Sequence, residues 1–145
     1  MKIRLHCAAF FLLFLWSCKS ANEKQALEIT SESDLDAARN FIRAALDGDY
    51  EIGKKLMISD SANFQYYAEF EKMHTKLNAA EKNKYKQSSI IVHELTPIND
   101  STTFIIYSNS YKKNRDTLKL LKTDGQWLVD LKYLFNPDSD TIQHR

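Results

Sequence analysis

The sequence predicts an α+β domain in which N-terminal helices pack on a curved antiparallel sheet of about four strands. Three observations predict it. Apolar residues recur at helical spacing through the first half, and from Gln87 onward β-branched and aromatic runs replace that period. Turn signals at Asn99-Asp100-Ser101 and Asp124-Gly125 fall between these runs, and consecutive strands joined by hairpins must be antiparallel.

The elements follow in order. Ser33 with Asp36 three residues on fits a capping box, and Ala38, Phe41, Ile42, Ala45 and Leu46 supply the apolar stripe of a first helix. Asp47-Gly48 ends it with a residue that tolerates positive φ, and Asp49 caps a short second helix with Ile52, Leu56 and Met57 facing inward. Tyr66, Phe70, Met73, Leu77 and Ala80, widened by Phe64 and Tyr67, read as one long third helix over about 63–84. Ile90, Ile91, Val92 and Leu95 mark a first strand, Phe104 to Tyr107 a second and Asp116 to Lys122 a third. A fourth strand alternates, with Trp127, Val129, Leu131 and Tyr133 on its core face and Leu128, Asp130 and Lys132 on a solvated face.

Upstream of this domain, Lys2 and Arg4 precede an apolar run of ten residues, Cys7 to Trp16. That run is too short to span a bilayer, which needs roughly 20. The Leu15-Trp16-Ser17-Cys18 tetrapeptide that closes it resembles the lipobox of bacterial lipoproteins, with the bulky Trp16 as its departure from that pattern. The resemblance implies that 1–17 is a signal peptide, that Cys18 is the lipid-bearing N-terminus, and that the protein is anchored in the bacterial cell envelope. Lys19, where some inner-membrane lipoproteins carry Asp, favours the outer membrane. An ordinary secretory signal cut near Ala21 is the alternative.

Residues 18–33 read as a polar tether, 34–135 as the domain and 136–145 as a polar tail. Removal of Cys7 and lipidation of Cys18 would leave no thiol for a disulfide or a thiolate metal site. The full chain carries 20 basic and 19 acidic residues, and loss of Lys2 and Arg4 leaves 18 against 19. A near-neutral domain has no broad basic surface for nucleic acid, and Lys112-Lys113 with Arg115 reads as a hairpin loop.

The stretch from Ala37-Ala38-Arg39-Asn40-Phe41-Ile42 to Asp47-Gly48-Asp49-Tyr50, and the closing Asp124-Gly125-Gln126-Trp127-Leu128-Val129, resemble the NTF2-like, cystatin-like-fold superfamily. Within it they look most like small bacterial lipoproteins described as lumazine-binding-like or DUF4878-like, over 34–135. The resemblance implies a cone of bent sheet and helices whose mouth binds a small molecule. It implies no reaction, since one fold hosts many functions.

Candidate pocket residues are Tyr67, His74, Tyr107 and Asp130. Tyr67 and Tyr107, with Tyr66 and Tyr111, combine apolar area with a polar tip suited to a ligand wall, although core packing accounts for several of seven tyrosines. His74 borders the third helix's stripe, where a packed histidine is the commoner outcome and a base would need a partner. Asp130 matches, by resemblance, the carboxylate of isomerase- and cyclase-type members of the superfamily. His93 adjoins Glu94, but neighbours on a strand point to opposite faces, His144 lies in the tail, no histidines have metal-ligand spacing, and no cofactor or phosphate-loop motif is present. No catalytic residue, metal or cofactor is assigned. The first expectation is a lipid-anchored extracytoplasmic module that binds a small molecule or a partner protein. An isomerase- or cyclase-type enzyme, or an immunity-type lipoprotein, is the alternative.

Overall fold

The computed structural model describes residue 31 and residues 33–135. The expected signal peptide, Cys18, most of the tether and the tail lie outside the described residues.

Helix α1 (Asp34–Asp47) starts at Ser33, whose Oγ accepts the Asp36 N–H and donates to the Asp36 carboxylate at 2.8 Å. Its buried face is Ala37, Ala38, Phe41, Ile42, Ala44 and Leu46, which lies across all four strands. Gly48, at φ 75°, ends it as expected, and Asp49 caps α2 (Tyr50–Lys55).

The expected single third helix is two helices. Helix α3 (Ser61–Thr75) is followed by α4 (Ala79–Lys86), and Asn78 between them forms a full capping box with Glu81. That box satisfies the new helix's first N–H groups, so the chain can turn where an unbroken period suggested continuity. Phe64 and Met73, expected in the stripe, are exposed; Asn63 and Tyr67 are buried, and Tyr66 and Phe70 pack against the core.

The sheet has the order β1-β2-β3-β4 and is antiparallel throughout: β1 (Ile90–Asn99), β2 (Thr102–Asn109), β3 (Asp116–Thr123) and β4 (Gln126–Asp130). Asp124 at φ 52° and Gly125 at φ 82° make the tight β3–β4 turn that the dipeptide predicts. The chain is thus α+β, helices first and a four-stranded meander after them. Ile105, Leu118, Leu120, Trp127 and Val129 face the helices and share the core with Phe41, Ile42, Leu56, Met57 and Tyr67. The outer edge of β4 is covered by a parallel bridge, in which the Ile58 N–H donates to the Val129 carbonyl and the Val129 N–H to the Leu56 carbonyl, both at 2.9 Å. The edge strand β1 carries Pro97 and two register shifts, features that discourage further pairing.

Strand β4 ends three residues earlier than the alternation suggested. The Asn63 side chain accepts the Leu131 N–H at 2.7 Å and Asp130 Oδ1 accepts the Lys132 N–H at 3.2 Å, which turns the backbone into a short helix, α5 (Lys132–Phe135). Tyr133 therefore leaves the expected core face and meets Phe104 on the other side of the sheet, ring centroids 4.8 Å apart. Asp130 is likewise corrected. It lies opposite in parity to Trp127 and Val129, as expected, but it is only 5% exposed, because Asn63 and the turn into α5 close over it. Asn63 donates to its Oδ1 at 3.3 Å, and Asp60, the α3 cap, takes the Lys132 ammonium at 2.7 Å. The Asn63 N–H and then Lys132 hold the Asp60 carboxyl down at about 2.

This polar knot fastens the start of α3 to the end of the sheet. Asn63→Ala would leave the buried Asp130 carboxylate and the Leu131 N–H without their Asn63 partner. The expected cost is about 3 kcal/mol, read as a lower urea midpoint.

Candidate functional site

Three helices meet at the C-terminal end of α1. The left-handed Gly48 turns the chain so that Asp49 and Tyr50 begin α2 at once, while Tyr67, Glu71 and His74 follow one another on one face of α3 at spacings of four and three. Arg43 anchors the far wall by donating to the carbonyls of Ser88, at 3.0 Å, and Tyr85, at 3.4 Å, drawing the end of α4 toward α1. Between these elements lies an open cleft of about 570 Å³, lined by Asp47, Gly48, Asp49, Tyr50, Glu51, Glu71 and Lys86.

Aromatic side chains form the layer behind the lining. Tyr50 stands edge-on to Tyr67 at 5.6 Å and to His74 at 5.7 Å, and Tyr67 leans on Phe41 at 5.7 Å. Two glycines make this approach possible. A Cβ on Gly48 would sit 2.7 Å from the His74 ring, and one on Gly53 would sit 1.7 Å from the Tyr67 hydroxyl. Both contacts are closer than any side chain tolerates, so α3 packs directly on the backbone of the α1–α2 corner.

The electrostatics of the cleft are acidic. Asp47 pairs with Arg43 at 3.4 Å and Glu51 with Lys54 at 3.1 Å, whereas Glu71 has no ion-pair partner among the described residues. Burial and then the Glu71 charge push the Tyr50 hydroxyl up to about 12. Burial, followed by the charges of Tyr50, Asp49, Glu71 and Glu51, pushes Tyr67 higher still. His74 is shifted down, first by burial and then by Lys82, so its neutral form is favoured. The Tyr67 hydroxyl and His74 Nε2 are both buried without a hydrogen-bond partner among the described residues.

Of the residues singled out in the sequence, Tyr67 and His74 come together here. Tyr107 does not; it pairs across the sheet with Val92 and Asp116, and burial, then the Asp116 charge, raises its hydroxyl. Asp130 belongs to the Asn63 knot. Tyr66 stacks on Phe135 at 4.5 Å, and Tyr111 lies between Lys84 and Lys112 against Tyr85. Sequence reasoning missed Tyr50 and Glu71. Glu71 carried a signal, being one helical turn from Tyr67, whereas Tyr50 stands at a corner between helices that no periodicity marks.

Gly48→Ala combines a left-handed φ with a clash against the imidazole, and is expected to lower stability by about 2 kcal/mol in urea denaturation. The unfolded chain binds a proton at the imidazole more readily than the folded one does. Stability contributed by His74 is therefore complete above the ordinary imidazole pKa and falls as pH drops through that value toward the lowered one. Asp116, raised by burial, works in the opposite sense at lower pH. Denaturation of the protein and of His74→Gln across this range should show the loss only where the imidazole is present. No family model, curated protein or solved structure matches the chain, and the cleft stands on its own chemistry.

Proposed function

We propose that this chain is a lipid-anchored extracytoplasmic binding module of NTF2-like type, held in the bacterial outer membrane through Cys18 and binding a small molecule in the α1–α2 cleft. The observation that carries the reading is the cleft itself. Its volume falls in the range of small-ligand sites, one aromatic, Tyr50, stands in its wall with Tyr67 and His74 behind it, and charged side chains make up most of the rest. The order of elements, helices followed by an antiparallel meander, supports the NTF2-like assignment. The lipobox-like Leu15-Trp16-Ser17-Cys18 supports the anchor. Binding is favoured over proton abstraction because Asp130 Oδ1 is engaged by Asn63 and by the Lys132 N–H, and His74 packs against Gly48.

Two measurements test the reading. Mass spectrometry of the mature N-terminus should find acyl chains on Cys18, and Cys18→Ala should release the protein from membranes; an unmodified N-terminus at Ala21 or Asn22 defeats the anchor. Thermal unfolding against a panel of amines, carboxylic acids, sugars and nucleotides should find one class that raises Tm. A ligand at 100 times its Kd adds about 2.7 kcal/mol, a shift of several degrees. Tyr50→Ala should abolish that shift, and a panel without any shift defeats the binding reading.

A further inference from the structure

Basic residues collect where α4 meets the loop between β2 and β3. Helix α4 carries Lys82, Lys84 and Lys86 against one carboxylate, Glu81, which is engaged in the capping box with Asn78. The loop adds Lys112, Lys113 and Arg115 and no carboxylate. The fold sets the two side by side, with Tyr85 of α4 edge-on to Tyr111 of the loop at 5.0 Å. Lys84, Lys112, Lys113 and Arg115 are all exposed, and none has an ion-pair partner among the described residues. Asp116, which follows Arg115, has its carboxyl raised by burial, the reverse of what a paired cation would do.

A second observation is how these charges are held. Asn109, 9% exposed, accepts the Tyr111 and Lys112 N–H groups on its side-chain oxygen at 3.1 and 2.9 Å, and its carbonyl accepts the Lys113 N–H at 2.9 Å. The Tyr111 ring at this turn carries two ammonium groups, Lys84 at 5.5 Å and Lys112 at 5.2 Å from its centroid. An aromatic ring attracts each cation, but two like charges on one ring repel each other, and a neighbouring anion relieves that repulsion. The four exposed cations stand on a loop and a helix end, and none of them lines the cleft, so they present a surface rather than enclose a small anion. Basic side chains around a half-buried tyrosine match a bilayer interface, where anionic head groups take the charge and the amphipathic ring sits at head-group level.

Chain length allows the contact. Asp34 is bonded to Thr103 near the start of β2, and the loop leaves the end of the same strand at Asn109, about 20 Å away. Sixteen residue steps separate Cys18 from Asp34 and reach up to about 55 Å when extended, so a lipid-borne Cys18 and the basic surface can meet one bilayer.

We propose that Lys84, Lys112, Lys113 and Arg115, set around Tyr111, form a docking surface for a bilayer of anionic phospholipid. This rests on the anchored reading and adds the face of the domain that meets the membrane. The detergent-purified protein is reconstituted into vesicles of phosphatidylcholine alone and of phosphatidylcholine with an equal part of phosphatidylglycerol. Exposed lysines are then acetylated with a water-soluble reagent and read by peptide mass spectrometry. Lys84, Lys112 and Lys113 should react several-fold more slowly in the anionic vesicles, and high salt should remove the difference. Lys122, exposed near the far end of β3 and likewise placed over an aromatic ring, should react equally in both. Each basic residue at an anionic surface contributes about five-fold in affinity. Lys112→Gln combined with Lys113→Gln should therefore abolish the protection of Lys84 and keep the parent Tm. Equal acetylation in the two vesicles overturns the proposal, as does protection that extends to Lys122 or survives the double variant. A protein that does not stay with phosphatidylcholine vesicles defeats the anchor alone, and sedimentation with the anionic vesicles then decides the surface: pelleting at low salt supports it and a protein left in the supernatant overturns it. Binding of polyglutamate without any effect of lipid charge overturns the bilayer in favour of an acidic protein partner.

Discussion

The left-handed turn at Gly48 is the constraint from which the rest of the cleft follows. A helix of α1's length has to end somewhere, and most ends point the chain into solvent. Here a glycine at φ 75° doubles the backbone back so that α2 starts two residues later, and α3 can then rest its His74 ring directly on the turn. The same logic repeats one turn along α2, where Gly53 admits the Tyr67 hydroxyl. Two positions without a side chain thus set the depth at which α3 sits, and that depth is what brings Tyr50, Tyr67 and His74 within ring contact.

Such packing has an energetic cost that the structure leaves visible. The Tyr67 hydroxyl and His74 Nε2 give up water without gaining a protein partner among the described residues, a penalty of about 1–3 kcal/mol for each neutral group. The cluster around Asn63 is the opposite case. Asn63, fully buried, uses its backbone N–H, its amide and its carbonyl oxygen in three separate bonds to Asp60, Asp130 and Leu131. The contrast separates a polar cluster closed on itself from two buried polar atoms without a partner among the described residues.

Local signals made much of this architecture legible. Ser33, Gly48 and Asp49 act through neighbours a few residues away, and the Asp124-Gly125 turn needs only its own two backbone conformations, so α1, α2 and the β3–β4 hairpin could be placed from sequence. The errors came where distance in sequence mattered. Nothing near Asp130 reveals that Asn63, far upstream, will close over it, and nothing in the alternation of β4 reveals that the same residue will take the Leu131 N–H and end the strand. The break between α3 and α4 was a local signal overlooked, since Asn78 and Glu81 spell a capping box inside an otherwise continuous apolar period. For the candidate site, Tyr67 and His74 could be found by periodicity. Their partners Tyr50 and Asp49 could not, because a corner between helices has no period of its own.

Helix α1 also works as a strut. At its first residue Asp34 accepts a hydrogen bond from the buried Thr103 hydroxyl at 2.8 Å, so that end is pinned to β2, and its other end delivers Gly48 to the cleft. Fourteen residues at 1.5 Å each separate the two by about 21 Å. On the proposed anchoring, the tether joins at the Asp34 end, and the mouth is carried a rigid helix length beyond the point of attachment. Whatever precedes Asp34, the opening keeps its stand-off from that point, because the helix between them is pinned to the sheet along its length.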